Sequence, residues 1–411
     1  MINIKEIIEN REDIEENLRR RDPSISLDGI VTLSEKRRDL QRQYDRKREY
    51  LKKFSLGNVS QEIRKQLREE SDLAKELKKQ IEDIKYKLEG KLLELPNLLS
   101  PNVPISSNKN DYRIERVWSN PPSFDFTPLD HVEIGKRLGV IDFDRGSKLA
   151  GAGFPVYIGE GARLEWSLIN FMLDHCTNNG FRQVMLPLFS NADTLTASGN
   201  LPKFADELYY IERDKLFVIP TAEAPLTSFY RGEVLNEKDL PIKLVSYTPC
   251  FRREAGSHGV SVRGLMRMHQ FNKVETYTLC KPEDSQNELE KMVKNAEEII
   301  EKLGLHYRTI LLPSSDLAHQ ASITKDIEIW LPHIKKYSEV SSASNCLDYQ
   351  SMRANIRYKK KSENKFVHTL NCSALATPRL MISIFESNQT KEGKVVIPEV
   401  LRGYMKKEII E

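Results

Sequence analysis

Cysteine is scarce in this sequence and forms none of the pairs that bind zinc. The 411-residue chain has no CxxC pair and no Cys/His pair at metal-ligand spacing. It has only five scattered cysteines, Cys176, Cys250, Cys280, Cys346 and Cys372. This scatter argues against a structural zinc site and against a disulfide framework. We therefore expect no zinc and a reducing, cytoplasmic setting.

Long hydrophobic runs are missing as well. No window approaches the roughly 20 apolar residues of a membrane-spanning helix. The N-terminus, MINIKEIIENREDIEENL, is rich in glutamate and resembles neither a secretory signal nor a transit peptide. We expect no membrane association.

Two common phosphate-binding motifs are also absent. No GxGxxG follows a predicted strand, and no GxxxxGKS or GxxxxGKT occurs. The net charge is only +3, so a nucleic-acid surface would need local clusters of Lys and Arg. Apolar residues make up 39% of the chain, which is enough for a sizeable core, and the length predicts two or three domains.

The first hundred residues are dense in charge and helical in pattern. One helical run covers residues 27–54, and the stretch SLGNVS (55–60) breaks it. In the second run, apolar residues are spaced by three, four or seven: Ile63, Leu67, Ala74, Leu77, Ile81, Ile84 and Leu88. This spacing predicts an antiparallel two-helix coiled coil, an arm roughly 40–50 Å long.

Positive charge is concentrated in the first helix of this arm. Residues 31–60 have nine Lys and Arg against four acidic residues, whereas residues 61–90 are balanced. Such runs are commonly the solvated faces of a coiled coil. The alternative is a basic stripe that follows a phosphate backbone.

A proline-containing stretch, ELPNLLSPNVPISSNKN, separates the charged helices from the rest and marks a linker. Beyond it, strand-like runs joined by hairpin-like loops are mixed with helical stretches. This pattern predicts an antiparallel sheet flanked by helices, an α+β fold. We predict an N-terminal arm at 1–101, a linker at 102–120 and a second domain at 121–411.

Residues 248–275, TPCFRREAGSHGVSVRGLMRMHQFNKVE, combine guanidinium, carboxylate and aromatic groups in a predicted hairpin. Strand alternation puts Arg252 and Glu254 on one face and Arg253 on the other. On the returning strand, Phe271 and Glu275 share a face. Arginine pairs well with phosphate, phenylalanine can stack on a base, and glutamate can accept an amine. A salt-bridged surface hairpin remains the alternative.

Three further stretches are candidates for binding. Thr221-Ala222-Glu223 follows an apolar run where a helix begins, and its chemistry suits capping as well as binding. Oxygen atoms of Glu339, Ser341 and Ser342 could bind Mg²⁺ at a triphosphate, or they could simply end a polar strand.

The third stretch is a helix start at Thr377-Pro378. Thr377 is expected to cap the helix and Pro378 to occupy its first position. Arg379 then lies in the first turn, the positive end of the helix dipole, where arginine is unfavourable. An anion such as phosphate near this helix end would explain its placement.

Together these motifs resemble the bacterial-type seryl-tRNA synthetases, which are class II aminoacyl-tRNA synthetases. The resemblance covers essentially the whole chain and is most specific in IPTAEAPL, FRREAGSHGVSVRGLMRMHQFNKVE, EVSSASNC and HTLNCSALATPR. The stretch GFRQVMLPLF is similar to motif 1 of the class, FRRE through KVE to motif 2, and the Arg379 helix to motif 3. The resemblance implies a tRNA-binding coiled-coil arm (1–101) and a class II catalytic domain (121–411).

The activity implied by the resemblance is the two-step charging of tRNA. ATP activates L-serine to seryl-adenylate with Mg²⁺ present, and the seryl group passes to the 3′ end of tRNA(Ser). The resemblance also admits tRNA(Sec) as a substrate, and it implies a homodimer.

The same resemblance implies a role for individual residues. Arg252 would hold the α-phosphate and the serine carboxylate, Glu254 would face the adenine, and Arg379 would hold the γ-phosphate. Glu339 and Ser342 correspond to the metal and ATP ligands. The implied ATP-binding set is Arg252, Arg253, Glu254, Phe271, Glu339, Val340, Ser341, Ser342 and Arg379, with Arg253 at a variable position. The implied serine-binding set is Thr221, Ala222, Glu223, Arg252, Glu275, Asn371 and Ser373.

Some positions depart from the family pattern. Cys372 and Ala374 replace two glycines of the usual NGSGLAVGR, and Ile323-Thr324-Lys325-Asp326 replaces Lys-Thr-Tyr-Asp. Three alternatives remain at this stage. They are another class II synthetase (for proline, threonine or histidine), a relative that loads a carrier protein, and an RNA-binding coiled coil with a degenerate catalytic domain.

Overall fold

The computed structural model describes residues 1–54, 60–254 and 264–411. It divides into two compact units, Met1–Leu98 and Leu99–Glu411. Residues 55–59 of the predicted helix break and residues 255–263 of the predicted hairpin loop lie outside the described residues.

The first unit is helical. Its helices are α1 (Ile4–Glu9), α2 (Arg11–Arg19), α3 (Asp28–Lys53) and α4 (Gln61–Glu94). The last two pack antiparallel, because Leu40 of α3 lies against Ile81 of α4 and Lys47 pairs with Glu70 at 2.6 Å. The predicted apolar seam is buried from Ala74 to Leu88 and partly exposed at Ile63 and Leu67.

The second unit combines helices with an antiparallel sheet. Its helices are α5 (His131–Arg137), α6 (Phe143–Ala150), α7 (Glu160–Asn178), α8 (Ala192–Ser198), α9 (Glu223–Thr227), α10 (Ser285–Lys302), α11 (Tyr349–Ala354), α12 (Thr377–Ser387) and α13 (Glu399–Met405).

The strands of this unit fall into one large sheet and several small ones. They are β1 (Arg113–Trp118), β2 (Ile141–Asp142), β3 (Val156–Tyr157), β4 (Arg182–Gln183), β5 (Phe189–Ser190), β6 (Tyr210–Ile211), β7 (Leu216–Val218), β8 (Val234–Asn236), β9 (Ile242–Phe251), β10 (Gln270–Cys280), β11 (Tyr307–Leu311), β12 (Ile323–Leu331), β13 (Lys336–Asn345), β14 (Arg357–Lys360), β15 (Glu363–Phe366), β16 (His368–Ala376), β17 (Val395–Val396) and β18 (Ile409–Ile410).

The large sheet has the order β1-β11-β12-β13-β16-β10-β9-β4 and is antiparallel except where β4 meets β9. Helices α7 and α10 cover one face: Asn272 of β10 bonds Glu165 of α7, and Lys325 of β12 pairs with Glu290 of α10. The opposite face carries the polar residues described below. This architecture confirms the predicted fold class, a two-helix hairpin followed by an antiparallel sheet flanked by helices.

The predicted linker, 102–120, includes a strand. Residues Arg113–Trp118 form β1, which pairs with β11 at the edge of the large sheet. The predicted domain bounds (1–101, 102–120 and 121–411) remain predictions. The two compact units meet between Leu98 and Leu99. Within the described residues, no helix combines the length and the apolar character needed to span a bilayer.

Candidate active site

A cavity of about 680 Å³ opens on the sheet face opposite α10. It is lined by β10, β13 and β16, by the residues that follow β9 and β7, and by the start of α12. Most of the residues predicted from the sequence line it together: Thr221, Glu223, Arg252, Glu254, Phe271, Glu275, Glu339, Val340, Ser342, Asn371, Ser373 and Arg379.

Arg252 lies at one side of the cavity, directly after β9. The pairing of β9 with β10 runs in continuous register from Leu279–Ile242 to Gln270–Phe251. The backbone N–H of Arg252 donates to the His269 carbonyl at 2.9 Å, which extends this pairing. Its guanidinium lies 5.1 Å from the centre of the Phe271 ring, a cation–π contact.

Glu254 and Arg253 point in different directions, as the alternation predicts. Glu254 lines the cavity and accepts a hydrogen bond from Arg267. Arg253 is turned the other way, since its guanidinium donates to the Asp206 carbonyl at 3.2 Å. The structure therefore brings Glu254 into the cavity and leaves Arg253 outside its lining.

The deep end of the cavity contains two buried carboxylates. Glu223 accepts hydrogen bonds at Oε1 from three side-chain amides, those of Gln350 (2.8 Å), Asn371 (3.1 Å) and Gln320 (3.2 Å). Burial and, after it, the nearby charge of Glu275 together raise the pKa of Glu223 to about 6. Glu223 therefore takes up a proton as the pH falls through about 6.

The second carboxylate, Glu275, is paired within the chain. Lys273 Nζ lies 2.5 Å from Glu275 Oε2 and donates to Thr221 Oγ1 at 2.8 Å. Ser373 Oγ donates to Glu275 at 3.3 Å. The acidic charge of Glu275 raises the pKa of Lys273 even though burial opposes this, so Lys273 stays charged. Because this end of the cavity contains two carboxylates and only one ammonium group, it is suited to binding a cationic group.

The alternative that Thr221 is the N-cap of a helix is wrong, since the N-cap of α9 is Ala222 and has no side-chain cap hydrogen bond. Thr221 Oγ1 accepts the backbone N–H of Glu223 at 3.2 Å and the ammonium of Lys273 at 2.8 Å. Ala222 is fully buried and packs in an apolar cluster with Leu226. It therefore does not line the cavity.

A β-bulge unites Glu339 and Ser342 on the cavity face. Strict alternation would separate two residues that are three apart in the sequence. The register with β12 shifts, however, so that Ser342 faces Asp326 and Glu339 faces Glu328, with Val340 as the extra residue. Ser341 points to the other face, where its hydroxyl donates to the Ser373 carbonyl at 2.6 Å.

Arg379 closes the cavity beside Glu339. Its guanidinium donates to the Glu339 carbonyl and lies 3.6 Å from the Glu339 carboxylate. The prediction that Thr377 caps this helix is wrong, since the N-cap is Ala376 and Thr377 is the first helical residue. The Thr377 hydroxyl instead donates to Glu165 of α7.

Glu165 links three parts of the domain behind the cavity. Its Oε1 accepts from Thr377 of α12 and from Asn272 of β10 at 2.7 Å. Its Oε2 and the hydroxyl of Tyr157 are buried without a hydrogen-bond partner. Burial raises the pKa of Glu165 to about 7. No sequence motif pointed to this residue, because its partners are more than 100 positions away.

Lys273 shares a strand face with Phe271 and Glu275, where strand alternation places it. Gln320 is one of several lining residues that no sequence motif indicated. Gln320 comes from the loop before β12 and reaches Glu223 from 97 positions away. No local signal identifies a contact of that kind.

The resemblance to synthetases implies Mg²⁺, and the oxygen atoms at the Arg379 end of the cavity fit this ion. Glu339 and Ser342 supply oxygen ligands of the kind that Mg²⁺ binds together with phosphates. Behind Ser342, the Asp326 Oδ1 is buried without a hydrogen-bond partner. In the part of the chain that the structure describes, no group of three or more His, Cys, Asp or Glu side chains is arranged to hold a metal ion.

Comparison with known proteins identifies the family. The seryl-tRNA synthetase N-terminal domain matches residues 1–99, and the class II tRNA synthetase core domain (G, H, P, S and T) matches residues 207–388. The chain is 44% identical to a serine–tRNA ligase of Thermodesulfovibrio yellowstonii, with 100% of both chains covered. The chain belongs to the seryl-tRNA synthetase family.

Solved structures of seryl-tRNA synthetases have the same fold. The enzyme of Pyrococcus horikoshii complexed with ATP matches with a TM-score of 0.94 at 33% identity, covering 100% of this chain and 99% of that one. The cytoplasmic serine–tRNA ligase of Naegleria fowleri in complex with AMP matches with a TM-score of 0.90 at 29% identity and the same coverage.

These comparisons confirm the predicted family and the predicted enzyme class, an ATP-dependent serine–tRNA ligase. They also set aside the prolyl, threonyl and histidyl alternatives, because the matched N-terminal domain is that of seryl-tRNA synthetases.

Proposed function

We propose that this chain activates L-serine with ATP and transfers the seryl group to the 3′ end of tRNA(Ser). One observation supports the proposal most directly. Arg252 and Arg379 line the same cavity as a buried acidic pocket formed around Glu223 and Glu275. The cavity thus combines cationic groups suited to a triphosphate with carboxylates suited to an amino acid.

We take the residue roles from the family resemblance. Arg252 holds the α-phosphate and the serine carboxylate, and Arg379 holds the γ-phosphate. Phe271 stacks on the adenine, with Glu254 at its edge. Bidentate arginine contacts provide the charge and the orientation that such anions need.

In the first step, a serine carboxylate oxygen attacks the α-phosphorus, and the bond to the bridging oxygen of pyrophosphate breaks. Arg252 holds both reacting anions close together and lowers their repulsion, without a covalent intermediate on the protein. In the second step, a terminal ribose hydroxyl of tRNA attacks the seryl carbonyl, and AMP leaves.

The serine pocket selects by hydrogen bonding and by volume. Glu223 receives the substrate ammonium, and Glu275 with Ser373 receives the hydroxyl. Asn371 and Thr221 complete the wall. Alanine would leave these buried polar groups without partners, so the pocket should bind alanine much more weakly than serine. Threonine must be excluded by the space available.

Mg²⁺ is proposed as a partner of ATP, with Glu339 and Ser342 as its protein ligands. When bound, it would neutralise charge on the triphosphate. Val340, Ser341 and Arg253 are implied at the ATP site by the resemblance alone. Val340 lines the cavity, whereas Ser341 and Arg253 support it from behind.

The arm is proposed to bind tRNA through the basic face of α3. Its exposed cations include Lys36, Arg38, Arg42, Arg46 and Arg48. A row of cations suits a phosphate backbone, and the binding would weaken with salt. We extend the proposal to tRNA(Sec) on the basis of the family resemblance. Measuring the charging of tRNA(Ser) and tRNA(Sec) transcripts tests this extension.

A homodimer is proposed from the motif 1 region. Trp166 of α7 is 56% exposed, Met185 is 97% exposed and Phe189 is 51% exposed. Helix α7 contacts β4, and Met185 follows β4 by two residues. Exposed apolar side chains of this size are typical of a protein interface. Sedimentation equilibrium tests the assembly. All five cysteines are buried thiols, which agrees with the proposed cytoplasmic setting.

The deciding experiment is amino-acid-dependent ATP–pyrophosphate exchange across the standard amino acids. We expect exchange with serine and little with alanine, glycine or threonine. Exchange that depends on another amino acid would contradict the proposed specificity. No exchange with any amino acid would favour the degenerate RNA-binding alternative.

A further inference from the structure

A buried carboxylate lies behind the proposed Mg²⁺ ligands and has no part in the function described above. Asp326 of β12 is directly opposite Ser342 of β13, and it is only 8% exposed. It accepts a hydrogen bond from the Ser342 side chain. Its Oδ1 is buried with no hydrogen-bond partner. Such an oxygen is costly to bury and is rarely left without a partner.

The sheet geometry directs Asp326 towards the cavity. Residues that face each other on neighbouring strands project to the same side of a sheet, and Ser342 lines the cavity. The preceding residue, Lys325, projects to the opposite side, where it pairs with Glu290 of α10 at 2.8 Å. Burial and the nearby charge of Glu339 raise the pKa of Asp326.

We propose that Asp326 is a positioning residue of the Mg²⁺ site. By accepting the Ser342 proton, its carboxylate keeps the lone pairs of the hydroxyl oxygen turned to the cation. Its Oδ1 accepts a hydrogen bond from a water molecule bound to the cation. Outer carboxylates orient metal ligands in this manner, and their loss costs about 10- to 100-fold in metal affinity. The inference rests on the proposed function, since the cation arrives with ATP.

The chain supplies a matched control on the same strand. Glu328 also lies on the cavity side of β12, opposite Glu339. Its carboxylate is already occupied by Arg308, which is 2.6 Å away. Asp326→Asn and Glu328→Gln therefore make the same carboxyl-to-amide change on the same face, but only the first removes a hydrogen-bond acceptor that the cation site would use.

The test measures Mn²⁺ binding to the full-length protein with ATP present, by electron paramagnetic resonance of free Mn²⁺. We expect Asp326→Asn to weaken Mn²⁺ binding about 10- to 100-fold and Glu328→Gln to leave it unchanged. Without metal, the melting temperatures of both variants and of the wild-type protein are compared, because Asp326→Asn exchanges an unpartnered buried acceptor for a buried amide donor.

Three results would overturn the inference. They are wild-type Mn²⁺ affinity in Asp326→Asn, an equal loss in Glu328→Gln, and a lowered melting temperature with unaltered affinity. Serine-dependent exchange by the wild-type protein is measured in parallel and tests the proposed function separately. If exchange is present and Asp326→Asn binds Mn²⁺ normally, only the role of Asp326 fails.

Discussion

Glu223 shows how burial and hydrogen bonding oppose each other in one side chain. Three amide donors stabilise its carboxylate, yet complete burial and the charge of Glu275 raise its pKa to about 6. An ammonium group of the substrate would bind only the ionised form.

The first prediction concerns the pH dependence of serine binding. Because protonation of Glu223 becomes dominant below its pKa of about 6, the KM for serine should rise about tenfold between pH 7.5 and pH 5. Glu223→Gln should have a high KM that varies little over this range. Glu275→Gln should show a pH dependence moved to lower pH, because the substitution removes a charge that raises the Glu223 pKa. The measurement is the rate of exchange against serine concentration; a wild-type KM that is constant with pH would contradict the assignment.

Glu165 is a second buried carboxylate, but it lies outside the cavity. Burial raises its pKa from the ordinary glutamate value of about 4.5 to about 7. A raised carboxyl pKa means that the folded state binds the proton more tightly than the unfolded state. Its contribution to stability is therefore fully present below pH 4.5 and is lost as the pH rises through 7.

The second prediction is that Glu165→Gln gains stability relative to the wild-type protein as the pH rises. The gain should be negligible at pH 4.5 and approach about 3 kcal/mol at pH 8, since each pKa unit corresponds to 1.36 kcal/mol. The glutamine oxygen still accepts from Asn272 and Thr377. Melting temperatures of both proteins from pH 4.5 to 8 test this; curves that stay parallel would rule out the raised pKa.

At the scale of elements, the position of α12 depends on a tie to α7. Thr377 replaces a residue of the usual family motif, and its hydroxyl donates to Glu165. Pro378 fixes its own φ angle within the first turn. Together they hold the first turn, and with it Arg379, against the sheet.

The third prediction is that Thr377→Val raises the KM for ATP about 5- to 10-fold, because a lost buried hydrogen bond of roughly 1 kcal/mol or more loosens the first turn of α12. The KM for serine should change little. Thr377→Ser keeps the hydroxyl and should behave as the wild-type protein. Exchange kinetics against ATP concentration provide the measurement, and equal effects of the two substitutions would show that the hydroxyl is unimportant.

For the whole molecule, the two compact units are expected to divide the reaction. The residues proposed for catalysis lie within Leu99–Glu411, whereas the exposed cations of α3 lie within Met1–Leu98. Activation and tRNA recognition should therefore respond to different substitutions.

The fourth prediction replaces the exposed Arg42, Arg46 and Arg48 of α3 with glutamine. We expect tRNA affinity to fall and the slope of log affinity against log salt to become shallower by about 2–3, since each lost phosphate contact contributes about 0.9. Serine-dependent exchange should be unchanged. The matched control replaces the exposed Arg64, Arg68 and Lys79 of α4. Filter binding at several salt concentrations tests this, and equal losses in both variants would refute a specific role for α3.

Much of the fold could be predicted because its signals are local. The heptad spacing of α4, the alternation at Arg252, Arg253 and Glu254, and the Pro378 helix start each depend on a few neighbouring residues. Those patterns determined the helical arm, the antiparallel sheet and the face on which Arg252 lies. The resemblance of the motifs then implied the family.

Only the tertiary structure decided how the site is assembled. Alternation alone would separate Glu339 from Ser342, and the bulge against β12 brings them together. Glu223 accepts hydrogen bonds from Gln320 and Gln350, and Glu165 accepts them from Asn272 and Thr377. All four donors are distant from their acceptors in the sequence. Register and desolvation depend on which strands and helices meet, and that is a property of the packed chain rather than of any short segment.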